Sequence, residues 1–249
     1  MGRLAVVSGA ATGIGRAVTE ALRGEGADVV MVGRRAELLA AVADELNADP
    51  RGGRALPMTA DLSAPDQVER VADEIASLGR PVDVLVNNAG GNRAPYPPKT
   101  LEEVREGWLA NVTGNVLPAV LLTHALLPSL RRPGGRVVTV GSVAAFRGPA
   151  SYGGSKAALH PWSVELAARL APEGVTVNMV APGYIQDTEF YGERMSPGFH
   201  EGRSRQAPVG RGGTPREVAA TVAHLAGPDA GFITGQIVQI NGGAIPGRG

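Results

Sequence analysis

Seven short apolar runs, set apart by longer stretches of helical periodicity, constrain this chain more than any other feature of it. The runs are Leu4–Val7, Asp28–Val32, Arg54–Thr59, Val82–Val86, Arg136–Val140, Val175–Val180 and Gln236–Ile240. Most are apolar at nearly every position instead of alternating, as strands covered on both faces are. Between them, residues 36–46 carry Leu38, Leu39, Val42 and Leu46 at helical spacing, and residues 64–78 carry Val68, Val71, Ala72 and Ile75. Strands separated by helices run parallel, and right-handed crossovers then place helices on both sides of one sheet. The expectation is an α/β fold, a single-domain doubly wound parallel sheet over residues 1–249. Further helices are expected at 101–131, 151–171 and 215–226, and no Pro/Gly-rich linker divides the chain. The irregular region 182–213 is too long for a passive connection and reads as a lid over a site.

Composition works mainly by exclusion. The 24 basic residues balance 24 acidic ones, which argues against a nucleic-acid partner. There is no cysteine, and His124, His160, His200 and His224 lack the short spacings of a metal site. No signal peptide or membrane-spanning run is read, so a soluble, cytoplasmic protein is expected. Among the basic residues only Lys99 and Lys156 are lysines. Against that arginine bias, the place of each lysine is informative.

The first run leads into SGAATGIG, residues 8–15. Gly9, Gly13 and Gly15 let the backbone turn sharply at a strand–helix junction, where a pyrophosphate meets the first helical N–H groups. At the end of the second run stands VGRR, with Gly33 where a ribose-binding acid commonly sits and Arg34 and Arg35 after it. A guanidinium forks onto a 2′-phosphate that a carboxylate would repel, so NADP(H) is preferred, with NAD(H) possible.

Four residues separate Tyr152 from Lys156 in SYGGSKAAL, which puts both side chains on one face of a helix. A free phenol has a pKa near 10. A neighbouring ammonium favours the phenolate and fits the hydroxyl for proton transfer near neutrality. The glycine loop, NNAG at 87–90, Asn111, Ser142, Tyr152 with Lys156, and PG at 182–183 together resemble the short-chain dehydrogenase/reductase family over the whole chain. The likeness is to its 3-oxoacyl-[acyl-carrier-protein] reductase-like branch, whose members end in a segment similar to TGQIVQINGGA.

The resemblance implies a Rossmann fold and a ketone–alcohol oxidoreductase. In it Tyr152 would be the general acid in reduction, Lys156 its activator and ribose ligand, and Ser142 a donor to the substrate oxygen. Asn111 would hold a water relaying protons to Lys156. Cofactor contacts are expected from Gly9, Thr12, Gly13, Ile14, Gly15, Arg34, Arg35, Asp61, Leu62, Asn87, Asn88, Ala89, Gly90, Tyr152, Lys156, Pro182, Gly183, Ile185 and Thr188.

Ser142 and Tyr152 stand closer together than is usual in the family, which alters the pocket more than the chemistry. Phe190, Tyr191, Met195 and Phe199 are candidates for its apolar lining. The substrate is expected to be a 3-oxoacyl thioester, or otherwise a free small carbonyl, sugar or cyclic alcohol. A non-enzymatic dinucleotide sensor is a third reading, disfavoured by the proton-donor set. Arg131, Arg132 and Arg169 are the candidates for a basic rim facing an acidic carrier protein. A homotetramer is implied, with small apolar residues of 101–131 and 151–171 allowing close helix contact.

Overall fold

The computed structural model describes residues 2–94, 97–190 and 196–246. Its seven strands form one sheet in the order β3-β2-β1-β4-β5-β6-β7, every pair parallel. The strands are β1 (Leu4–Ser8), β2 (Asp28–Gly33), β3 (Ala55–Thr59), β4 (Val84–Asn87), β5 (Arg136–Val140), β6 (Thr176–Pro182) and β7 (Ile237–Ile240). Strands β1, β4, β5 and β6 are buried at every position, in keeping with their mostly apolar sequence. The outer strand β3 is half-exposed and accommodates Pro57, whose missing N–H an edge tolerates.

Helices cover both faces. On one side α1 (Gly13–Gly24), α2 (Ala36–Asn47) and α8 (Pro215–Ala226) bury Val18, Leu22, Leu39, Val42, Val218 and Val222 against the sheet. On the other, α3 (Pro65–Ala76), α5 (Leu117–Leu126) and α6 (Ala150–Leu170) contribute Val71, Ile75, Leu122, Leu126, Leu166 and Leu170. Burying a side chain of this size stabilises the fold by about 1.5–3 kcal/mol. The two cores explain why the strands carry no polar face.

The single helix expected over 101–131 is two helices. The first, α4, spans Leu101–Asn115, and Val116 separates it from α5. Pro118 causes the break: it has no N–H to give the Gly114 carbonyl, and its ring crowds the preceding turn. By length and mean hydropathy (1.3) the stretch Leu101–Ser129 would suffice to cross a membrane. Here Leu122 and Leu126 of that stretch are fully buried in the core. Within 182–213 the chain is not wholly irregular either, since α7 runs Pro197–Ser204 behind a Ser196 cap. Ile185 and Gly213 pair in a parallel bridge, tying that segment's two ends together.

The sheet changes direction of winding between β1 and β4, and the carboxyl ends of those strands flank a crevice. In an open parallel sheet that is where ligands bind.

Candidate active site

A cavity of about 1140 Å³ occupies that crevice. Its floor is the loop between β1 and α1. Gly9 and Gly13 have φ of 66° and 51°, conformations that L side chains rarely adopt. A methyl on Gly15 would overlap the Gly9 carbonyl oxygen. The Thr12 side chain makes no capping bond, which leaves the first N–H groups of α1 for an anion. Asn88 clamps the loop from β4, donating through Nδ2 to the carbonyls of Ser8 (3.0 Å) and Gly9 (3.1 Å). Ser8 Oγ in turn accepts from the amides of Asn88 and Ala89. Replacing Gly15 with alanine therefore forces the loop open. The expected outcome is a melting temperature lower by several degrees and weaker nucleotide binding, read by thermal shift with and without dinucleotide.

Arg34, Arg35, Asp61 and Leu62 line one end of the cavity with Asn88, Ala89 and Gly90. The Asp61 carboxyl accepts from the Ser63 amide and hydroxyl, which together hold it below the usual carboxylate range. Arg35 forks onto Glu189, at 2.9 Å and 3.4 Å, and reaches Thr12 Oγ1 at 3.4 Å. A third guanidinium, from Arg93, lies across Gly114 of α4 and lines the same end. Burial and the nearby Arg34 charge both lower the Arg93 pKa, which Asp61 partly opposes. This collection of cations around a gap is the environment that a phosphate-bearing nucleotide satisfies, and the glycine cradle fits its pyrophosphate.

At the other end Ser142 follows β5, and Tyr152 and Lys156 rise one turn apart on α6; all three line the cavity. Tyr152 is 7% exposed and Lys156 only 4%. The Lys156 ammonium donates to the Val140 carbonyl at 3.0 Å, beneath the end of β5. Burial lowers its pKa from 10.5 to about 8. Ser142 Oγ accepts from the Ala144 amide at 3.1 Å, so its own proton remains available to a substrate oxygen. The Phe190 ring stands 5.4 Å from that of Tyr152 and closes the cavity on the side of residues 182–213.

A family profile described as Enoyl-(Acyl carrier protein) reductase matches residues 9–244. The chain belongs to the short-chain dehydrogenase/reductase family. It is 34% identical over 248 residues to a 3-oxoacyl-[acyl-carrier-protein] reductase of Aquifex aeolicus, covering 97% of each protein. The Pseudomonas aeruginosa RhlG/NADP active-site complex superposes with a TM-score of 0.85 at 35% identity, covering 98% of this chain and 96% of that one. A short-chain dehydrogenase from Burkholderia cenocepacia in complex with NADP gives 0.87 at 34%, covering 98% of both. As a family member the protein is an oxidoreductase of CH–OH and C=O groups on a Rossmann fold.

Most residues marked out for this family's site meet in the one cavity, Pro182, Gly183, Ile185 and Thr188 among them. Three do not line it: Gly15, Asn87 and Asn111. Gly15 packs directly behind the loop. Asn87 is buried and donates to Thr123 Oγ1 at 2.8 Å, tying β4 to α5. Asn111 is wholly buried; its Nδ2 bonds Ser151 Oγ (3.0 Å) and its Oδ1 accepts from the Arg93 amide (2.9 Å).

The asparagine beside Lys156 is Asn115, one turn further along α4. It exchanges two hydrogen bonds with the Gly91 backbone, at 2.9 and 3.0 Å. A Cβ on Gly90 would stand 2.6 Å from Asn115 Oδ1 and 3.2 Å from Lys156 Nζ, so only glycine fits between them.

The suggested basic rim does not form. Arg131 pairs with Asp83, Arg132 with Glu173 and Arg169 with Glu165, and none of the three lines the cavity. Phe190 and Phe199 do line it, whereas Tyr191 and Met195 lie outside the described residues.

Proposed function

We propose that the protein is an NADP(H)-dependent ketoreductase, interconverting a ketone and a secondary alcohol, with a 3-oxoacyl thioester as its first candidate substrate. The observation that carries the reading is the convergence of Ser142, Tyr152 and Lys156 on the cavity that the glycine loop opens. The names of the curated relatives support the thioester. Bound in this crevice, the reduced nicotinamide supplies the hydride to the carbonyl carbon.

The chain's own groups handle the proton. Ser142 Oγ donates a hydrogen bond to the substrate oxygen as negative charge grows there. Tyr152 Oη gives that oxygen its proton. Lys156, with one N–H on the Val140 carbonyl, keeps two for the phenolic oxygen and the ribose hydroxyls. Its pKa of about 8 lets it pass a proton onward near neutrality, and Asn115 is the relay asparagine in place of Asn111. Phe190 and α7 exclude water as the described parts of the lid.

Arg34 and Arg35 account for the 2′-phosphate. With NADPH the expected kcat/KM exceeds that with NADH by roughly a hundredfold, and an Arg34→Ala/Arg35→Ala double variant removes most of that preference. Absorbance assays at saturating ketone test it, and a wild type preferring NADH refutes the assignment.

A second reading, a free small carbonyl as substrate, is favoured by the ion pairing of Arg131, Arg132 and Arg169, which leaves no basic rim there for a carrier protein. Acetoacetyl thioester against simple ketones and sugars, each with NADPH, separates the two.

The assembly is read as a homotetramer. An apolar stripe on α4 supports it: Leu101, Val104, Trp108, Leu109 and Val112 are all exposed, Leu101 by 88%. Light scattering at micromolar concentration is the check, and a monomer refutes it. A cytoplasmic location is part of the same reading.

A further inference from the structure

Most arginines of the chain are paired with carboxylates. Among the described residues, Arg23 and Arg136 bond backbone carbonyls instead, and Arg216 is exposed on α8. The remaining four without an acidic partner, Arg34, Arg93, Arg147 and Arg203, all line the one large cavity. Arg34 and Arg93 belong to its nucleotide end. Arg147 and Arg203 do not.

Arg147 stands in the shortened connection between Ser142 and Tyr152, five residues from each. Packing leaves that connection little freedom. A Cβ on Gly148 would lie 2.7 Å from the Ala144 Cβ, and one on Gly153 would lie 2.5 Å from the Ala144 carbonyl oxygen. Phe146 turns towards α6, its ring tilted against that of His160 with centroids 4.9 Å apart, and Arg147 beside it lines the cavity.

Arg203 lines the same cavity from α7. Its guanidinium lies 5.2 Å over the Phe199 ring and makes one long bond, 3.4 Å, to Gln206. It is close enough to Tyr184 to oppose the upward shift that burial and Asp187 impose on that hydroxyl, which contacts His200 Nδ1 at 2.7 Å. The acids lining the cavity are Asp61, engaged by Ser63, and Glu189, engaged by Arg35. Among the described residues, two guanidiniums therefore border the substrate end and no carboxylate does.

We infer that the substrate end carries an anion subsite formed by Arg147 and Arg203, and that the natural substrate is a ketone bearing its own carboxylate. The inference rests on the ketoreductase reading and, within it, takes the free small ketone over the acyl thioester. Charge-assisted bonds to a guanidinium are strong enough, where water is partly excluded, to orient a small ketone with its carbonyl oxygen at Ser142 and Tyr152. Asp187 and His200, the other titratable groups around Tyr184, do not line the cavity.

The test compares 2-oxo-, 3-oxo- and 4-oxopentanoate with their methyl esters, and with an acetoacetyl phosphopantetheine thioester, under saturating NADPH. At least one acid should exceed its ester in kcat/KM by about tenfold or more, chiefly through KM, with the advantage shrinking as salt rises. Arg147→Gln and Arg203→Gln should each cut that acid-to-ester ratio by about tenfold. A misfolded variant lowers both substrates together, so the ratio reads the subsite alone. Acids no better than their esters in the wild type, a ratio unmoved by both substitutions, or a thioester preferred to every acid overturns the inference while leaving the ketoreductase standing. If nothing is reduced, the ketoreductase reading fails instead. The subsite is then read by titrating the NADPH complex with pentanoate, where salt-sensitive binding lost in the double variant supports it and no binding overturns it.

Discussion

A Tyr152→Phe variant is expected to turn over about a thousandfold more slowly than the parent while binding NADPH almost as well. The substitution deletes one oxygen. Ring volume, the 7% exposure and the 5.4 Å contact with Phe190 all remain, so α6 and the cavity wall keep their packing. What disappears is the group that the proposed mechanism uses to protonate the substrate oxygen, and such groups contribute roughly 10²–10⁴ in rate. The loss should fall on kcat, with KM for the ketone little changed, because Ser142 and the apolar lining still receive the ground state. Single-turnover NADPH oxidation measures the first quantity and fluorescence titration the second. Turnover within tenfold of the parent would place the proton donor on another residue, whatever the geometry around Lys156.

The parts of this molecule legible in its sequence are those enforced locally. Strands β1, β4, β5 and β6 announced themselves because a strand covered on both faces is apolar at most positions, its few polar residues being buried as well. The glycine loop was legible because two of its residues need positive φ and a third admits no Cβ.

The break at Val116 was hidden, since apolar periodicity runs on through it and only the missing N–H of Pro118 marks it. Helix α7 was missed because PGFHEGRS has no apolar stripe; its signals were the Ser196 cap, bonded to the Phe199 amide at 3.2 Å, and the proline that follows.

Asn115 was not singled out in the sequence at all, because residue type does not tell which turn of α4 faces Gly91. Least legible were the charge partners. Arg131 finds Asp83 and Arg132 finds Glu173 far along the chain, while Arg169 meets Glu165 one turn back on its own helix, so the rim suggested from these three arginines dissolved in ion pairs. The same pairing makes Arg147 and Arg203 conspicuous.

Lys156→Met should make the ligand-free protein more stable at pH 7 and nearly inactive. The lysine is buried, and its pKa falls from 10.5 to about 8 because the interior disfavours its charge. Between those two pH values the unfolded chain holds a proton that the folded protein has released. Stability therefore rises with pH across the window, and the penalty is complete below pH 8. A shift of that size corresponds to about 3 kcal/mol at neutrality. Methionine escapes the penalty at similar volume but leaves the Val140 carbonyl without its donor, a loss of about 1 kcal/mol. The difference, about 2 kcal/mol, raises the melting temperature of a chain this long by several degrees. The gain should shrink steadily between pH 8 and pH 10, as the folded wild-type amine gives up a charge that the unfolded chain still carries. Activity should fall at least a hundredfold, since a thioether neither supports the phenolic proton nor holds ribose hydroxyls. Thermal melts of both proteins across that pH range, without nucleotide, give the stability half of the prediction. A methionine variant that melts below the parent at pH 7 would mean that the burial cost is met elsewhere in the fold, and that the lysine is kept for structure and not for catalysis.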